Sequence, residues 1–317
     1  MELKNLGTTS IKIPPIVFGG NVFGWTVDKY QSFKLLDELV SLGFNAIDTA
    51  DVYSRWATGN QGGESEIIIG EWMQRNKNRD KISLFTKVGS NMSPGGEKNI
   101  SKKYILKAVE DSLNRLKTDY IDLYFTHYDD NKTPVSETLS AYEQLIREGK
   151  VRHIGASNLS PERLMENLEV SQTENLPKYE VFQPLYNFLD REEFEKSIQA
   201  ICKEHKLGVI SYFSLASGFL TGKYKTEMDF EGTKRKQFAQ KYLNHKNLSI
   251  LNQMENIANE HQVGLAAVAL RWIMQRPVIS APIASATNTS QLSAFKEAIS
   301  FKLSEEQMSI LNNWSKA

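Results

Sequence analysis

Short apolar segments alternate with longer amphipathic ones from about Pro14 to Ala298. Eight of the short segments predict strands: Ile16–Gly20, Ala46–Ala50, Ser83–Val88, Ile121–Thr126, Val151–Ala156, Val181–Pro184, Val209–Tyr212 and Ile279–Ile283. The stretches between them carry apolar residues at helical spacing and predict helices over Asp28–Leu42, Glu64–Arg75, Lys102–Leu116, Val135–Glu148, Pro161–Val170, Glu192–His205 and Leu265–Gln275. Start signals agree. Ser160-Pro161 offers an N-cap and an N1 proline, and Ser101 stands where the third helix needs a cap. Gly43, Gly149 and Gly208 follow helices, where a left-handed residue ends the last turn. Strand then helix, repeated eight times, predicts a closed parallel (β/α)8 TIM barrel rather than an open doubly wound sheet.

Three segments fall outside the repeat. Leu6–Ile13 reads as an N-terminal β-hairpin that plugs the barrel's N-terminal face. Ala216–Asn247 is a long polar connection after the seventh strand, with a Lys/Gln-rich stretch at Lys234–Lys241. Ser304–Ala317 opens on the capping box Ser304-Glu-Glu-Gln307 and reads as a C-terminal helix. Unstructured loops this long on a compact scaffold are usually functional. No composition shift divides residues 1–317, which read as one barrel domain.

Composition narrows the function classes. The 317 residues carry 38 basic and 38 acidic side chains, so no net charge recommends nucleic acid or an anionic membrane as partner. The single cysteine, Cys202, lies at a helix-core position and excludes an internal disulfide, which suits a reducing compartment. There is no signal-peptide core at Met1–Gly7 and no apolar run of transmembrane length, so a cytoplasmic protein is expected. No His/Cys/carboxylate cluster has metal-ligand spacing, and none is expected to bind metal.

The candidate chemistry sits at the strand ends. Asp48 closes the second strand, Lys87 the third and His127 the fourth, with roughly 40 residues between successive members, one βαβ unit each. Right-handed crossovers bring such strands side by side, so the side chains share one mouth with Tyr53 on the loop after Asp48. A lone Asp or Lys on an apolar strand is costly to bury, and pairing offsets that cost. A neighbouring ammonium is expected to lower the pKa of Tyr53 towards usable acidity. The trio also reads as a structural ion pair beside a packed tyrosine. His127, at the C-terminal end of a barrel strand, tips the balance to catalysis.

A second constellation is polar. Ser157-Asn158 ends the fifth strand and Gln183 lies in the sixth, where both suit a carboxamide; Tyr212 ends the seventh and suits stacking on a flat ring. No Gly-x-Gly-x-x-Gly follows a strand, which argues against a Rossmann half. Ala281–Leu292 instead leaves the eighth strand through small and hydroxyl residues into a helix, a common phosphate-binding arrangement in barrels.

Together these residues resemble the aldo-keto reductase superfamily over nearly the whole chain. The resemblance is carried by Leu6-Gly-Thr, Ile47-Asp-Thr-Ala-Asp-Val-Tyr53, Gly63-Glu-Ser-Glu66, Thr86-Lys87, Asp122-Leu-Tyr-Phe-Thr-His127, Gly149-Lys-Val-Arg-His-Ile-Gly-Ala-Ser-Asn158, Phe182-Gln-Pro-Leu-Tyr-Asn187 and Leu220-Thr-Gly-Lys223. It is closer to the bacterial and potassium-channel β-subunit branch than to the aldose-reductase branch. The resemblance implies an NADPH-dependent reductase of aldehydes or ketones, with NADH the less suited cofactor. Tyr53 would be the general acid, tuned by Asp48 and Lys87, and His127 would orient the carbonyl. Ser157, Asn158 and Gln183 would hold the nicotinamide amide, with Tyr212 stacked beneath the ring, and Leu215 would also contact the cofactor. Ser285, Thr287, Asn288 and Gln291 would meet the adenosine phosphate end.

Some positions depart from the family's pattern. Tyr212-Phe-Ser-Leu215 stands where many relatives have Tyr-Ser-Pro-Leu, Ser285 where many have Gly, and Phe295 where many have Asn or Glu. Thr287 stands where many carry a cation for the 2′-phosphate, and Arg191 or Lys223 is expected to supply that charge from another loop. Ser54–Gly63 is longer than the family's usual step and is expected to line the substrate pocket. The rival reading is a cofactor-binding, redox-sensing regulatory subunit with little turnover. A small carbonyl compound is the expected partner, and oligomeric state is not legible.

Overall fold

The computed structural model describes residues 1–92 and 96–313. An antiparallel hairpin, β1 (Lys4–Asn5) and β2 (Lys12–Ile13), precedes the repeat, with Lys4 opposite Ile13. The repeat then runs β3 (Val17–Gly19), α1 (Lys29–Ser41), β4 (Ala46–Asp48), α2 (Glu64–Asn76), β5 (Ser83–Val88), α3 (Lys102–Leu116), β6 (Ile121–Thr126) and α4 (Val135–Arg147). It continues through β7 (Val151–Ser157), α5 (Pro161–Thr173), β8 (Val181–Gln183), α6 (Gln199–Glu204) and β9 (Gly208–Ser211). After these come α7 (Lys236–Ala239), α8 (His245–His261), α9 (Leu265–Met274), β10 (Ala281–Ala284), α10 (Ser293–Ser300) and α11 (Glu305–Asn313). Strands β3 to β10 are parallel, neighbour to neighbour, and β10 closes on β3. This is the expected (β/α)8 barrel.

Successive side chains of a strand point to opposite faces, and that alternation explains where the site forms. Val17, Ala46, Phe85, Leu123, Phe125, Val181, Ile210, Ala281 and Ile283 fill the barrel interior. Two residues further along the same faces stand Asp48, Lys87, His127, Gln183, Tyr212 and Ser285. These six strands therefore spend their early inward positions on packing and bring a polar side chain to the mouth at the next one. Phe125 has room because β7 places Gly155 beside it, where a Cβ would lie 2.5 Å from the ring.

Leu6, Ile11 and Ile13 of the hairpin pack on this interior layer, so the hairpin closes the N-terminal face as expected. Gly208 corrects the sequence reading. It opens β9 rather than ending a helix, and a Cβ on the neighbouring Gly7 would come within 2.3 Å of its nitrogen. The left-handed residue after α6 is Lys206, at φ 56°. The helix expected over Glu192–His205 is likewise divided: Phe194–Ile198 is π-helical before α6 begins.

The predicted caps form. Ser101 accepts from Tyr104 N–H, Ser160 accepts from Arg163 N–H, and Ser304 and Gln307 exchange hydrogen bonds at the start of α11. The last four residues of the expected terminal helix, 314–317, lie outside the described residues. Helix α8 begins inside the segment read as a polar connection. It covers α9, in which Ala267 to Ile273 are all buried and all but Arg271 apolar; a helix so largely apolar needs a second layer over it. Cys202 is buried, and burial pushes its thiol up to about 12, so it is a packing residue.

Candidate active site

Asp48 and Lys87 enter the mouth on adjacent strands, and both are buried. Lys87 Nζ donates to Asp48 Oδ2 at 2.7 Å, to the Thr49 carbonyl at 2.8 Å and to the Tyr53 hydroxyl at 2.9 Å. The Tyr53 hydroxyl donates to Asp48 Oδ2 at 3.3 Å. Gln183, across the barrel, donates from Nε2 to Asp48 Oδ1 at 2.9 Å. The Tyr53 and His127 rings meet edge to face, 6.1 Å between centroids. The four residues expected together are together.

Their protonation differs from expectation in one respect. Burial, and then the Asp48 carboxylate, raise the Tyr53 phenol well above 10. The Lys87 ammonium does not reverse this, because it is shared with Asp48 and a carbonyl. Burial also lowers Lys87 below its ordinary value, against the pull of Asp48. His127 is pushed well below 6.5 by burial and by the charges of Lys87 and Lys98. The mouth therefore holds a protonated phenol and a neutral imidazole.

The polar constellation forms a connected chain. Ser157 Oγ donates to the Gln183 carbonyl at 2.8 Å, and Asn158 Nδ2 reaches Ser157 Oγ and the His127 carbonyl, each at 3.0 Å. Tyr212 donates its hydroxyl to Asn158 Oδ1 at 2.7 Å. Asn158 holds φ 54° to turn out of β7, a strain that concentrates at functional sites. Ser285 Oγ donates to the Gly19 carbonyl and Asn21 Oδ1, both at 2.7 Å. Gln291 Oε1 accepts from Thr287 N–H at 2.8 Å.

One cavity of about 720 Å³ joins these groups. Asp48, Tyr53, His127, Ser157, Asn158, Gln183, Tyr212, Leu215, Ser285, Thr287 and Gln291 line it. Lys87 lies behind this wall, wholly buried. Asn288 is not on the wall; it caps the turn that follows by accepting from Gln291 N–H. Of the two cations proposed as substitutes at the phosphate end, Lys223 lines the cavity, whereas Arg191 binds the Asn312 carbonyl.

The sequence reading missed Arg235, which reaches the cavity from the long connection after β9 and packs over Trp25. It also missed the aromatic wall of Trp25, Tyr128 and Phe238. For Arg235 and Phe238 the signals were the length of that connection and its Lys/Gln-rich stretch; Trp25 and Tyr128 had none. Phe213, Ala216 and Ser217 adopt φ of 55°, 47° and 56°, and they bend the loop from Phe213 to Gly218 along the cavity. A second carboxyl, Asp51, is buried beneath the mouth, and burial and the nearby Glu66 push it well above its ordinary range.

The cavity brings together hydroxyl and amide groups beside Asp48 and Tyr53, the Tyr212 ring, and the cations Lys223 and Arg235 from the connection after β9, a donor set that suits a ligand with an amide at one end and phosphates at the other. Among the described residues no three metal-ligating side chains cluster, and no helix is long and apolar enough to cross a membrane.

Comparison with known proteins shows the family. A family model described as "Aldo/keto reductase family" matches residues 15–316. A Bacillus subtilis protein named "Uncharacterized oxidoreductase YrpG" is 31% identical over 99% of this chain and 95% of its own length. A rice protein named "Probable voltage-gated potassium channel subunit beta" is 30% identical over 92% of this chain and 89% of its own length. The "L-glyceraldehyde 3-phosphate reductase" of Escherichia coli K12 is 28% identical over 99% of this chain and 88% of its own length.

Proposed function

The chain belongs to the aldo/keto reductase family, and from that premise we propose that it reduces an aldehyde or ketone to the alcohol with NADPH. The observation that carries this is the Tyr53 hydroxyl, held in a cavity at 2.9 Å from Lys87 Nζ beside a buried Asp48 that accepts from Lys87, Gln183 and Tyr53 itself. Bound NADPH would supply hydride to the carbonyl carbon. Ser157, Asn158 and Gln183 would hold its amide end against Tyr212. Lys223 and Arg235, with Ser285, Thr287 and Gln291, would hold its phosphates.

The remaining chemistry belongs to the protein. His127, neutral, donates a hydrogen bond to the carbonyl oxygen and orients it. Tyr53 hands its proton to that oxygen as negative charge develops there. The Lys87 ammonium stabilises the phenolate left behind, which is where preorganised charge contributes most. Asp48 keeps Lys87 charged and in place against the desolvation that opposes it.

The name of the rice relative favours a second reading, a cofactor-binding subunit that senses redox state and turns over little. Steady-state oxidation of NADPH and NADH across aldehydes, ketones and sugars separates the two. Turnover with NADPH preferred is the expected result; cofactor binding without turnover on any carbonyl favours the subunit.

A further inference from the structure

The loop Ser54–Gly63 is pinned at several points. Ser54 Oγ donates to the Phe23 carbonyl at 2.5 Å, and Asn60 Nδ2 donates to the carbonyls of Gly24 and Ser54 at 2.8 and 2.9 Å. The Glu64 carboxylate accepts the N–H groups of Gln61 at 2.8 Å and Gly62 at 3.0 Å. This rigid loop presents Arg55, two residues beyond Tyr53, to the cavity that holds the tetrad.

Arg55 has no carboxylate to meet there. Its guanidinium makes no ion pair or hydrogen bond among the described residues. The cavity's own acids are already engaged: Asp48 by Lys87 and Gln183, and Glu297 by Gly264 N–H at 2.8 Å. Glu64 spends its oxygens on backbone N–H groups. A half-buried arginine on a cavity wall, without a partner among the described residues, is a fork of donors shaped for a planar anion.

Its surroundings narrow the ligand further. Trp56 stands 5.6 Å from Trp25, and Phe238 stands 6.3 Å from Trp25, centroid to centroid. These aromatic walls, with Trp56 and Phe238 partly open to solvent, suit a flat or apolar ligand body. Lys98 lies over the Tyr128 ring at 4.5 Å and adds positive charge on the His127 side. The cations suited to cofactor phosphates, Lys223 and Arg235, come from a different loop.

We infer that Arg55 selects carbonyl substrates bearing a second, anionic group, a carboxylate or a phosphate, beyond the reacting carbon. The inference rests on the reductase reading and names the substrate class of that site.

The test compares kcat/KM for 4-carboxybenzaldehyde, 4-formylphenyl phosphate and neutral 4-nitrobenzaldehyde in the wild type, Arg55→Gln and Arg55→Lys. The anionic-to-neutral ratio should fall about 10- to 100-fold in Arg55→Gln, the range of a hydrogen bond to a charged group, mostly through KM. Arg55→Lys should recover part of it. The two anionic aldehydes show which group is preferred. An unchanged ratio, or an Arg55→Gln loss traced to NADPH Kd alone, overturns the assignment. Binding of 4-carboxybenzyl alcohol, read by tryptophan fluorescence, supplies a second measurement. If no aldehyde turns over, the reductase reading fails, and Arg55-dependent binding of this acid still decides the anion site.

Discussion

Gln183 donates its side-chain N–H to Asp48 Oδ1 at 2.9 Å, joining β8 to β4 across the barrel mouth. The resemblance assigns Gln183 to a cofactor amide, yet in this geometry it also fixes the carboxylate that holds Lys87. Gln183→Leu leaves a buried carboxylate oxygen without its donor, a loss of about 1–3 kcal/mol. Expected is a larger fall in kcat than in NADPH affinity. A variant with weakened NADPH binding and normal kcat would return Gln183 to the cofactor alone.

Tyr53→Phe removes the proton donor and leaves the cavity wall in place. General acid catalysis contributes about 10²–10⁴-fold, so kcat should fall by that order while NADPH Kd stays near the wild-type value. Retention of wild-type kcat on an unactivated aldehyde would remove Tyr53 from the acid role.

Lys87→Met strands Asp48 in a buried site. Breaking such a pair typically costs about 3–5 kcal/mol. Chemical denaturation should show that loss, with activity falling beyond it. The double variant Asp48→Asn with Lys87→Met should recover much of the stability and none of the turnover. If Lys87→Met melts with the wild type, the ion pair contributes nothing to the fold.

His127 makes stability depend on pH in a defined direction. Its folded pKa lies well below 6.5 because burial and two lysines disfavour the imidazolium. In the unfolded chain it titrates near its ordinary value, about 6.5. Below that value the unfolded state takes up a proton that the folded state refuses, so acidification favours unfolding. The stability His127 contributes is complete above pH ~6.5 and declines as pH falls towards the folded pKa. Denaturation midpoints between neutral and mildly acidic pH should fall less steeply in His127→Asn. An equal slope in both proteins would show that the imidazole is not held neutral.

Thr287 lines the cavity at the place proposed for the cofactor's phosphates, its N–H and hydroxyl both turned to Gln291 Oε1. Wild-type protein should prefer NADPH, with Lys223 and Arg235 supplying the charge. Thr287→Arg should widen the preference by about tenfold, because a charge-assisted hydrogen bond is stronger than a neutral one. Kd values for both cofactors in both proteins test this. A wild type favouring NADH, or an arginine that adds nothing, would displace the phosphate from this loop.

The sequence by itself determined the barrel and the convergence of the tetrad, because both are local properties repeated. Alternation along each strand places Asp48 two residues after Ala46, Lys87 after Phe85 and His127 after Phe125, always on the inward face, and the spacing of the βαβ unit sets these strands side by side. Caps at Ser101, Ser160 and Ser304 are equally local and equally legible. Tertiary structure decided what depends on closing the barrel. The Gln183–Asp48 bond spans 135 residues, and no periodicity encodes it. Gly208 owes its role to the approach of Gly7 from the far end of the chain. Helix α8 answers the apolar sides of α9, and Arg235 enters the cavity only because a long connection folds back over it. The upward shift of the Tyr53 phenol belongs to the same class. A neighbouring lysine alone favours the phenolate, and only three-dimensional burial together with the second contact to Asp48 reverses that preference.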